Sequence, residues 1–262
     1  MSAKTETLIR GVGVRKTYRT HTGEIESLKP LDFAIGAGEF VSVIGPSGCG
    51  KSTLMKMVAG LLPISGGELE LAGNPVRGPQ TQVGIVFQNA LLLPWRRVLD
   101  NILLQAEIRG QPMEQARQRA LALIEMAGLK GFENKYPWEL SGGMQQRVAI
   151  LRALLHDPPL LLMDEPFGAL DAMTREKMNV ELQRIWMTAG KTVLLITHSI
   201  PEAIFLSDRV FVMSERPGRI AATYDIEMPR PRPIEVMGSE AFAHYARQLR
   251  SHFYAQGSLD AH

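Results

Sequence analysis

The chain has 262 residues, a net charge of +2 and one cysteine, with 45% hydrophobic and 21% charged residues. This length is enough for one large or two small cores, and the composition is that of a globular protein. The small net charge gives no reason to predict a nucleic-acid partner, and one cysteine excludes a disulfide framework, which fits a reducing compartment. Residues 1–10 are too polar for a signal peptide, and no apolar run is long enough to cross a bilayer.

Taken in chain order, residues 7–43 alternate between apolar and polar side chains as strands do, with turns predicted at 21–23 and 36–38. Tyr18 stands at the end of the first run. Its ring either packs half-buried, as is usual for a tyrosine at the end of a strand, or stacks on a purine. These residues by themselves leave both alternatives open.

A glycine-rich loop follows a short apolar strand at 40–44. It matches the pattern G-x-x-x-x-G-K-[ST], with the residues Gly45, Pro46, Ser47, Gly48, Cys49, Gly50, Lys51, Ser52 and Thr53. Helical spacing then continues to Gly60. A strand, this loop and the positive end of a helix together predict a phosphate-binding site. Lys51 is expected at the β- and γ-phosphates, and the Ser52 hydroxyl on Mg²⁺.

Further strands are predicted at 66–71 and 82–87, around a turn at 74–75. The segment 91–97 is first apolar and then basic. It is either part of the core or an exposed patch that meets a partner. Helical periodicity returns at 98–129.

Another predicted helix begins at Ser141, a good N-cap residue, and continues with Gly142 and Gly143. A helix that opens with Ser-Gly-Gly presents a hydroxyl and backbone amides to an anion. Many helices begin with serine or glycine, so this motif indicates an anion site only when other nucleotide-binding motifs occur in the same chain.

Residues 160–165 form a continuous apolar run that ends in two carboxylates, which is typical of a buried parallel strand. Parallel sheets bind ligands at the carboxyl ends of their strands. We therefore predict that Asp164 holds the Mg²⁺ shell and that Glu165 orients and polarises an attacking water. A second buried strand is predicted at 192–196, and His198, just past its end, is expected to donate a hydrogen bond to the γ-phosphate.

The remaining elements are predicted from their boundary residues. Asp171 is the expected N-cap of a helix, and 199–202 forms a capping-box pattern before another. We expect 209–213 to be the last strand of the core. The alternating prolines and arginines of 229–233 predict a stiff basic connector, and 240–254 a final helix with the apolar stripe Phe242, Tyr245, Leu249 and Phe253.

Together these motifs resemble the ATP-binding subunit of an ABC transporter, and the resemblance covers nearly the whole chain. The loop 45–53 is similar to the Walker A motif of that family, and 140–147 to its signature. The run that ends at Asp164 resembles Walker B, and Glu165 follows it where the family has its catalytic glutamate. One residue departs from the pattern, since Met144 stands where the signature usually has glutamine.

The resemblance assigns further roles. Tyr18 matches the aromatic residue that stacks on adenine, Gln88 the Q-loop glutamine and His198 the switch histidine, while 169–171 resembles the D-loop. Gln88 is thereby expected to join Lys51, Glu165 and His198 in catalysis, and Ser52 and Asp164 in binding Mg²⁺.

The resemblance also implies the fold, which is α/β. We expect a P-loop NTPase (RecA-like) core with an antiparallel β subdomain and an α-helical subdomain. The chain 1–262 is then a single ABC ATPase domain, with the core and β subdomain at 1–88 and 157–215, the helical subdomain at 89–156 and a C-terminal extension at 216–262.

The implied function is ATP hydrolysis that drives transport. Two copies would pair head to tail, each ATP lying between one Walker A loop and the Ser141, Gly142 and Gly143 of the other copy. The segment 93–98 and the Pro-Arg tail are similar to nitrate/sulfonate/taurine-type importers, which implies a membrane permease, indirectly a substrate-binding protein, and a peripheral place on the cytoplasmic face of the inner membrane. The alternatives are another ABC importer or exporter, or an ABC ATPase without a transport role.

Other nucleotide-binding classes fit less well. The sequence 134–137 begins like the guanine-reading Asn-Lys-x-Asp, but Pro137 replaces the aspartate, which excludes a GTPase of that kind. The interval between Ser52 and Ser141 has no room for the long coiled coil of chromosome ATPases, and translation-type ABC factors carry two cassettes. A small-molecule kinase would share the phosphate loop but would not need the Ser-Gly-Gly motif.

Overall fold

The computed structural model describes residues 6–21 and 23–255, with the backbone alone at 253–255. It divides into two compact units, Met1–Thr81 with Thr192–His262, and Gln82–Lys191. Among the described residues, no helix combines the length and the apolar character needed to span a membrane.

The first unit contains an antiparallel sheet. Its strands are β1 (Thr7–Thr20), β2 (Gly23–Gly36), β4 (Gly66–Leu71) and β5 (Asn74–Pro75), in the order β2-β1-β4-β5. The strands predicted within 7–36 are therefore confirmed. The turn predicted at 74–75 is wrong, because those residues are the short strand β5 and Leu71 pairs with Asn74. Ala72 and Gly73, with φ of 49° and 73°, make the two-residue turn instead, since both adopt the left-handed conformation that such hairpins require.

Parallel strands form the core of the first unit. They are β3 (Phe40–Ile44), β8 (Thr192–Ile196) and β9 (Arg209–Met213), with β3 between the other two. All five residues of β3 and of β8 are buried, as their continuous apolar sequences predict. Strand β9 is not the last one, because β10 (Ile220–Asp225) returns antiparallel to it. Helices α1 (Lys51–Val58) and α6 (Ile200–Leu206) follow β3 and β8.

The second unit holds two parallel strands and four α-helices. The strands are β6 (Val83–Val86) and β7 (Leu160–Asp164), and the helices are α2 (Val98–Arg109), α3 (Met113–Met126), α4 (Gly142–Leu154) and α5 (Ala172–Ala189). A 3-10 turn covers Pro137–Glu139. The helical region predicted at 98–129 is two helices, because Gly110 ends α2 in the left-handed conformation and Pro112 begins α3. Ser141 and Asp171 are confirmed as N-caps.

The proline-rich segment 229–233 of the first unit packs against the rest of that unit and is held there by hydrogen bonds. The Arg232 side chain is buried, and its guanidinium donates to the carbonyls of Ile204, Phe205, Ser207, Ile226 and Met228. Three of these acceptors lie at the carboxyl end of α6, where helical carbonyls have no partner within the helix. Burial lowers the pKa of Arg232 to about 10, so the group stays charged at neutral pH.

The predicted final helix is confirmed as α7 (Glu240–Ala255). Phe242 and Leu249 of its apolar stripe are buried, and Tyr245 is half-buried. The Phe253 side chain, which was predicted to extend the stripe, lies outside the described part of the chain.

We predict that Arg232→Met lowers the free energy of unfolding by about 2–4 kcal/mol, because several buried carbonyls lose a charged donor at once. Chemical denaturation followed by circular dichroism measures the loss. Arg247→Met, on the exposed part of α7, is the matched control and should change stability by less than about 0.5 kcal/mol. Equal stability of the two variants would contradict the anchoring role.

Candidate nucleotide-binding site

The glycine-rich loop of the first unit runs from the end of β3 to the start of α1. Gly48 and Gly50 have φ of 76° and 105°, a region that residues with a side chain rarely adopt. A Cβ at Gly50 would also lie 2.5 Å from the Leu28 side chain. Both constraints require glycine. The chain thereby turns directly from a buried strand into a helix N-terminus, which is a suitable end for binding an anion.

The Lys51 side chain folds back across this loop. It is 7% exposed, and its ammonium donates to the carbonyl oxygens of Gly45 at 2.8 Å and Pro46 at 2.9 Å. The loop therefore carries a localised positive charge as well as backbone donors. Burial raises the pKa of the neighbouring Cys49 thiol, so this cysteine is a neutral packing residue at physiological pH.

Tyr18 lies beside the same loop. Its hydroxyl is 3.4 Å from the Thr53 hydroxyl, and the Lys16 ammonium is 5.2 Å from the centre of its ring. The ring is half-buried, which leaves one part of it accessible. The structure thus brings Tyr18 to the Walker A residues, as a purine-stacking role requires. The contribution of Lys16 was missed, because nothing in the spacing of charges along β1 indicates which lysine covers the ring.

His198 is exposed on the loop after β8. The residues on either side of it are fixed by hydrogen bonds. The Ser199 backbone amide donates to the Thr197 hydroxyl at 3.0 Å, and that hydroxyl donates to the Glu202 carboxylate. Ser199 caps α6 by accepting from the Glu202 amide at 3.3 Å, as its capping pattern predicts. The histidine is held at the end of a buried strand by backbone anchors on both sides.

In the second unit Asp164 is the last residue of β7, and Glu165 follows it directly. Glu165 has a φ of 46°, which is uncommon for a residue with a side chain and costs about 1 kcal/mol or more. The turn closes when the Gly168 amide donates to the Glu165 carbonyl at 2.9 Å. Strained backbone of this kind is concentrated at functional sites.

The same turn brings Glu165 near Gln88. A Cβ built on Gly168 would lie 3.0 Å from the Gln88 amide nitrogen and 3.5 Å from a Glu165 carboxylate oxygen. The two side chains therefore flank one glycine, and the absence of a side chain at Gly168 leaves the room. The importance of Gly168 was missed from sequence, because a turn glycine gives no sign of which distant side chain approaches it.

Ser141 begins α4, and its hydroxyl accepts a 3.3 Å hydrogen bond from the Met144 amide. Ser141 and Gly142 are exposed, so this helix N-terminus is accessible. The side-chain amide nitrogen of Gln145 donates to the Pro137 carbonyl at 2.9 Å, and the side-chain amide nitrogen of Gln146 donates to the Gln88 carbonyl at 2.5 Å. These two glutamines are therefore engaged elsewhere and do not replace the one that Met144 displaces.

The candidate site residues are distributed over both units. The first holds Tyr18, 45–53 and His198, and the second holds Gln88, 141–143, Asp164 and Glu165. No cluster of three metal-binding side chains occurs in the described ranges. Mg²⁺ needs none, since it commonly keeps water and takes only one or two protein oxygens beside phosphate. A hydroxyl at Ser52 and a carboxylate at Asp164 are suitable oxygen donors.

Comparison with known proteins gives a consistent result. The ABC transporter family matches residues 28–168. An uncharacterised ABC transporter ATP-binding protein of Methanocaldococcus jannaschii is 46% identical, over 83% of this chain and 81% of its own. The taurine import ATP-binding protein TauB of Rhizobium johnstonii is 48% identical over 79% of each chain, and that of Yersinia pestis is 49% identical over 74% of this chain and 76% of its own.

Among solved structures, a dimeric ATP-binding cassette in a post-hydrolysis state with ADP and Pi superposes with a TM-score of 0.72. It is 34% identical and covers 85% of this chain and 100% of its own. This match agrees with the predicted α/β fold of the P-loop NTPase type.

We predict that Lys51→Ala weakens binding of an ATP analogue by about 10–100-fold, because a charged hydrogen-bond donor is removed from the loop. Titration of a fluorescent ATP analogue, followed by anisotropy, measures the affinity. Lys56→Ala is the control, since Lys56 is exposed on the same helix and should leave the affinity unchanged. If both variants bound like the parent, the phosphate-binding role of the loop would be excluded.

Proposed function

Since the chain belongs to the ABC transporter family and is an ATPase of that family, we propose that it powers import of a small anionic solute through a membrane permease. The observation that carries the proposal is the pair of helix N-termini on one chain that are suited to binding an anion, at 45–53 and at 141–143. A single nucleotide held by one glycine-rich loop would not need the second.

We propose that the first unit binds the triphosphate. The amides of 45–53 and the Lys51 ammonium surround the β- and γ-phosphates, and the Tyr18 ring stacks on adenine. Bound Mg²⁺, with Ser52, Asp164 and Gln88 as its protein ligands, would neutralise phosphate charge. His198 donates to the γ-phosphate from its loop.

Hydrolysis on this proposal depends on Glu165. Its carboxylate accepts a proton from the attacking water, and Gln88, on the other side of Gly168, orients that water. Glu165 has a left-handed backbone, and one of its carboxylate oxygens lies beside Gly168. Support comes from this geometry, in which a carboxylate and an amide flank one turn of the chain.

The second anion site acts between subunits on this proposal. Two copies pair head to tail, and Ser141 with the amides of Gly142 and Gly143 binds the γ-phosphate held by the other copy. Two ATP molecules then close the pair, and hydrolysis releases it. The exposure of Ser141 and Gly142 supports this role, since the hydroxyl and helix N-terminus are accessible to another molecule.

The permease contact is proposed at Leu91–Arg97. Leu91 and Trp95 are 57% and 70% exposed, so this segment offers apolar surface to a partner. The buried Asn101 fixes the end of the segment, because its amide nitrogen donates to the carbonyls of Leu93, Arg96 and Arg97 at 3.1, 2.9 and 3.1 Å. The apolar surface is thus presented on a rigid backbone, which lowers the entropy cost of docking.

The solute is proposed from the relatives that are named taurine importers. A sulfonate such as taurine, or a related anion such as nitrate, would reach the permease through a separate substrate-binding protein. The chain would then work at the cytoplasmic face of the inner membrane. The domain division predicted from sequence, with a helical subdomain at 89–156, is retained as part of this proposal.

We predict that Glu165→Gln keeps ATP affinity, lowers kcat by about 10²–10⁴-fold and makes the chain dimeric in ATP, because binding persists without proton transfer. Phosphate release and light scattering measure the two effects. Glu176→Gln, exposed on α5, is the control and should hydrolyse ATP like the parent. Near-parental turnover by Glu165→Gln would remove Glu165 from the mechanism, and a persistent monomer would contradict the dimer.

The solute proposal predicts that this subunit co-purifies with a permease, and that the complex in liposomes takes up radiolabelled taurine only with ATP and the binding protein. Nitrate and an amino acid without a sulfonate are the comparison solutes. Uptake of nitrate alone would move the proposal to another anion. Transfer of phosphate to a small acceptor, with no uptake, would support a kinase instead.

A further inference from the structure

The segment that carries Gln88 has backbone carbonyls that accept hydrogen bonds from side chains rather than from the backbone of a strand or helix. Strand β6 ends at Val86, and regular structure resumes only at α2. Four carbonyls at the start of this segment accept hydrogen bonds from two side chains of α4. Gln146 donates to Phe87 at 3.4 Å and Gln88 at 2.5 Å, and Arg152 donates to Ala90 at 2.9 Å and Leu91 at 2.8 Å.

The two donors are well placed for a durable contact. Gln146 is 4% exposed, and Arg152 is half-buried with burial lowering the pKa of its guanidinium. A guanidinium offers two parallel donors in a rigid fork, and here they reach the carbonyls of adjacent residues. Hydrogen bonds to a charged group contribute more than neutral ones, especially when water is excluded.

The held segment is itself strained. Leu91 has a φ of 45°, although its side chain is branched and exposed. Such a backbone persists only where surrounding contacts over-determine it. The hydrogen bond from Arg152 to the Leu91 carbonyl is a contact of this kind.

The donors also connect the segment to the signature. Both lie on α4, the helix that begins after Ser141, and an α-helix transmits displacement along its axis because its own hydrogen bonds keep it rigid. Arg152 is eleven residues from Ser141, or about 16 Å along the axis. At the other end of the contact, the Gln88 side chain lies beside Gly168 and Glu165.

We propose that Arg152 and Gln146 are positioning residues for Gln88, which fasten its loop to the signature helix so that the two move as one body. The inference rests on the proposed roles of Gln88 and Ser141. It extends these roles. A phosphate bound at the start of α4 would determine the position of the Gln88 side-chain amide relative to Glu165, with no change in the Lys51 loop. Neither positioning residue belongs to the set proposed to bind the nucleotide.

The test uses the full-length subunit with MgATP and the variants Arg152→Met, Arg152→Lys and Gln146→Met. Arg119→Met is the matched control, since Arg119 lies in the same unit but binds the Asp157 carboxylate at 2.5 Å. Gln88→Ala is measured alongside. Backbone hydrogen exchange at 88–92 reports on the loop, and kcat and KM for ATP separate positioning from binding.

We expect Arg152→Met and Gln146→Met to raise exchange at 88–92 by about tenfold and to lower kcat by about tenfold, with KM within about twofold of the parent. Arg152→Lys should recover part of kcat, because it keeps one charged donor. The Arg119→Met control should match the parent in all three quantities.

The inference is overturned if both methionine variants keep parental exchange at 88–92 or parental kcat, if kcat and KM worsen together in them, or if Arg119→Met shows the same changes as they do. Should Arg152→Met fail to fold, Arg152→Lys and Gln146→Met decide the same question. If Gln88→Ala is itself fully active, the proposed role of Gln88 fails together with the inference. If Gln88→Ala is impaired while the positioning variants are not, only the inference fails.

Discussion

Short buried strands that end abruptly are the constraint on which the rest of the structure depends. A strand such as β3 is buried along all five residues, so its backbone groups are satisfied by neighbouring strands. Where such a strand stops, the next amides and carbonyls need other partners, because an unpaired buried polar group is costly. The segments that follow these strands also carry the candidate site residues.

Each strand end solves this problem with different chemistry. After β3, glycines in the left-handed conformation turn the chain, and the Lys51 ammonium donates to two carbonyls. After β8, the Thr197 hydroxyl closes a small loop around His198. After β7, a left-handed Glu165 and the amide of Gly168 close the turn. After β6, the hydrogen-bond partners come from a distant part of the sequence, since side chains of α4 donate to the carbonyls around Gln88.

Two arginines of this chain make the same kind of contact in different parts of the structure. Arg232 and Arg152 are both placed against several main-chain carbonyls, where a fork of donors with a fixed charge is effective. Arg232 fastens the tail to the end of α6 and so contributes stability to the first unit. Arg152 instead donates to carbonyls of the segment that carries Gln88, which has no regular structure of its own.

The sequence alone determined the family, the glycine-rich loop, the buried strands and most helix starts, because these follow from local rules. A glycine pattern, a continuous apolar run and an N-cap residue such as Ser141 each specify structure within a few positions. Even so, the two-residue turn at Ala72 and Gly73 was misplaced, because alanine seldom takes the left-handed conformation and gave no signal.

Only the tertiary structure decided which distant groups meet. That Arg232 is buried, that Gly168 separates Gln88 from Glu165, and that Arg152 holds the Gln88 loop are contacts between residues far apart in the chain. A polar side chain has the same local signature whether it faces water or a row of carbonyls. Its partner is selected by which backbone groups the packed strands leave unsatisfied, and that is a property of the fold.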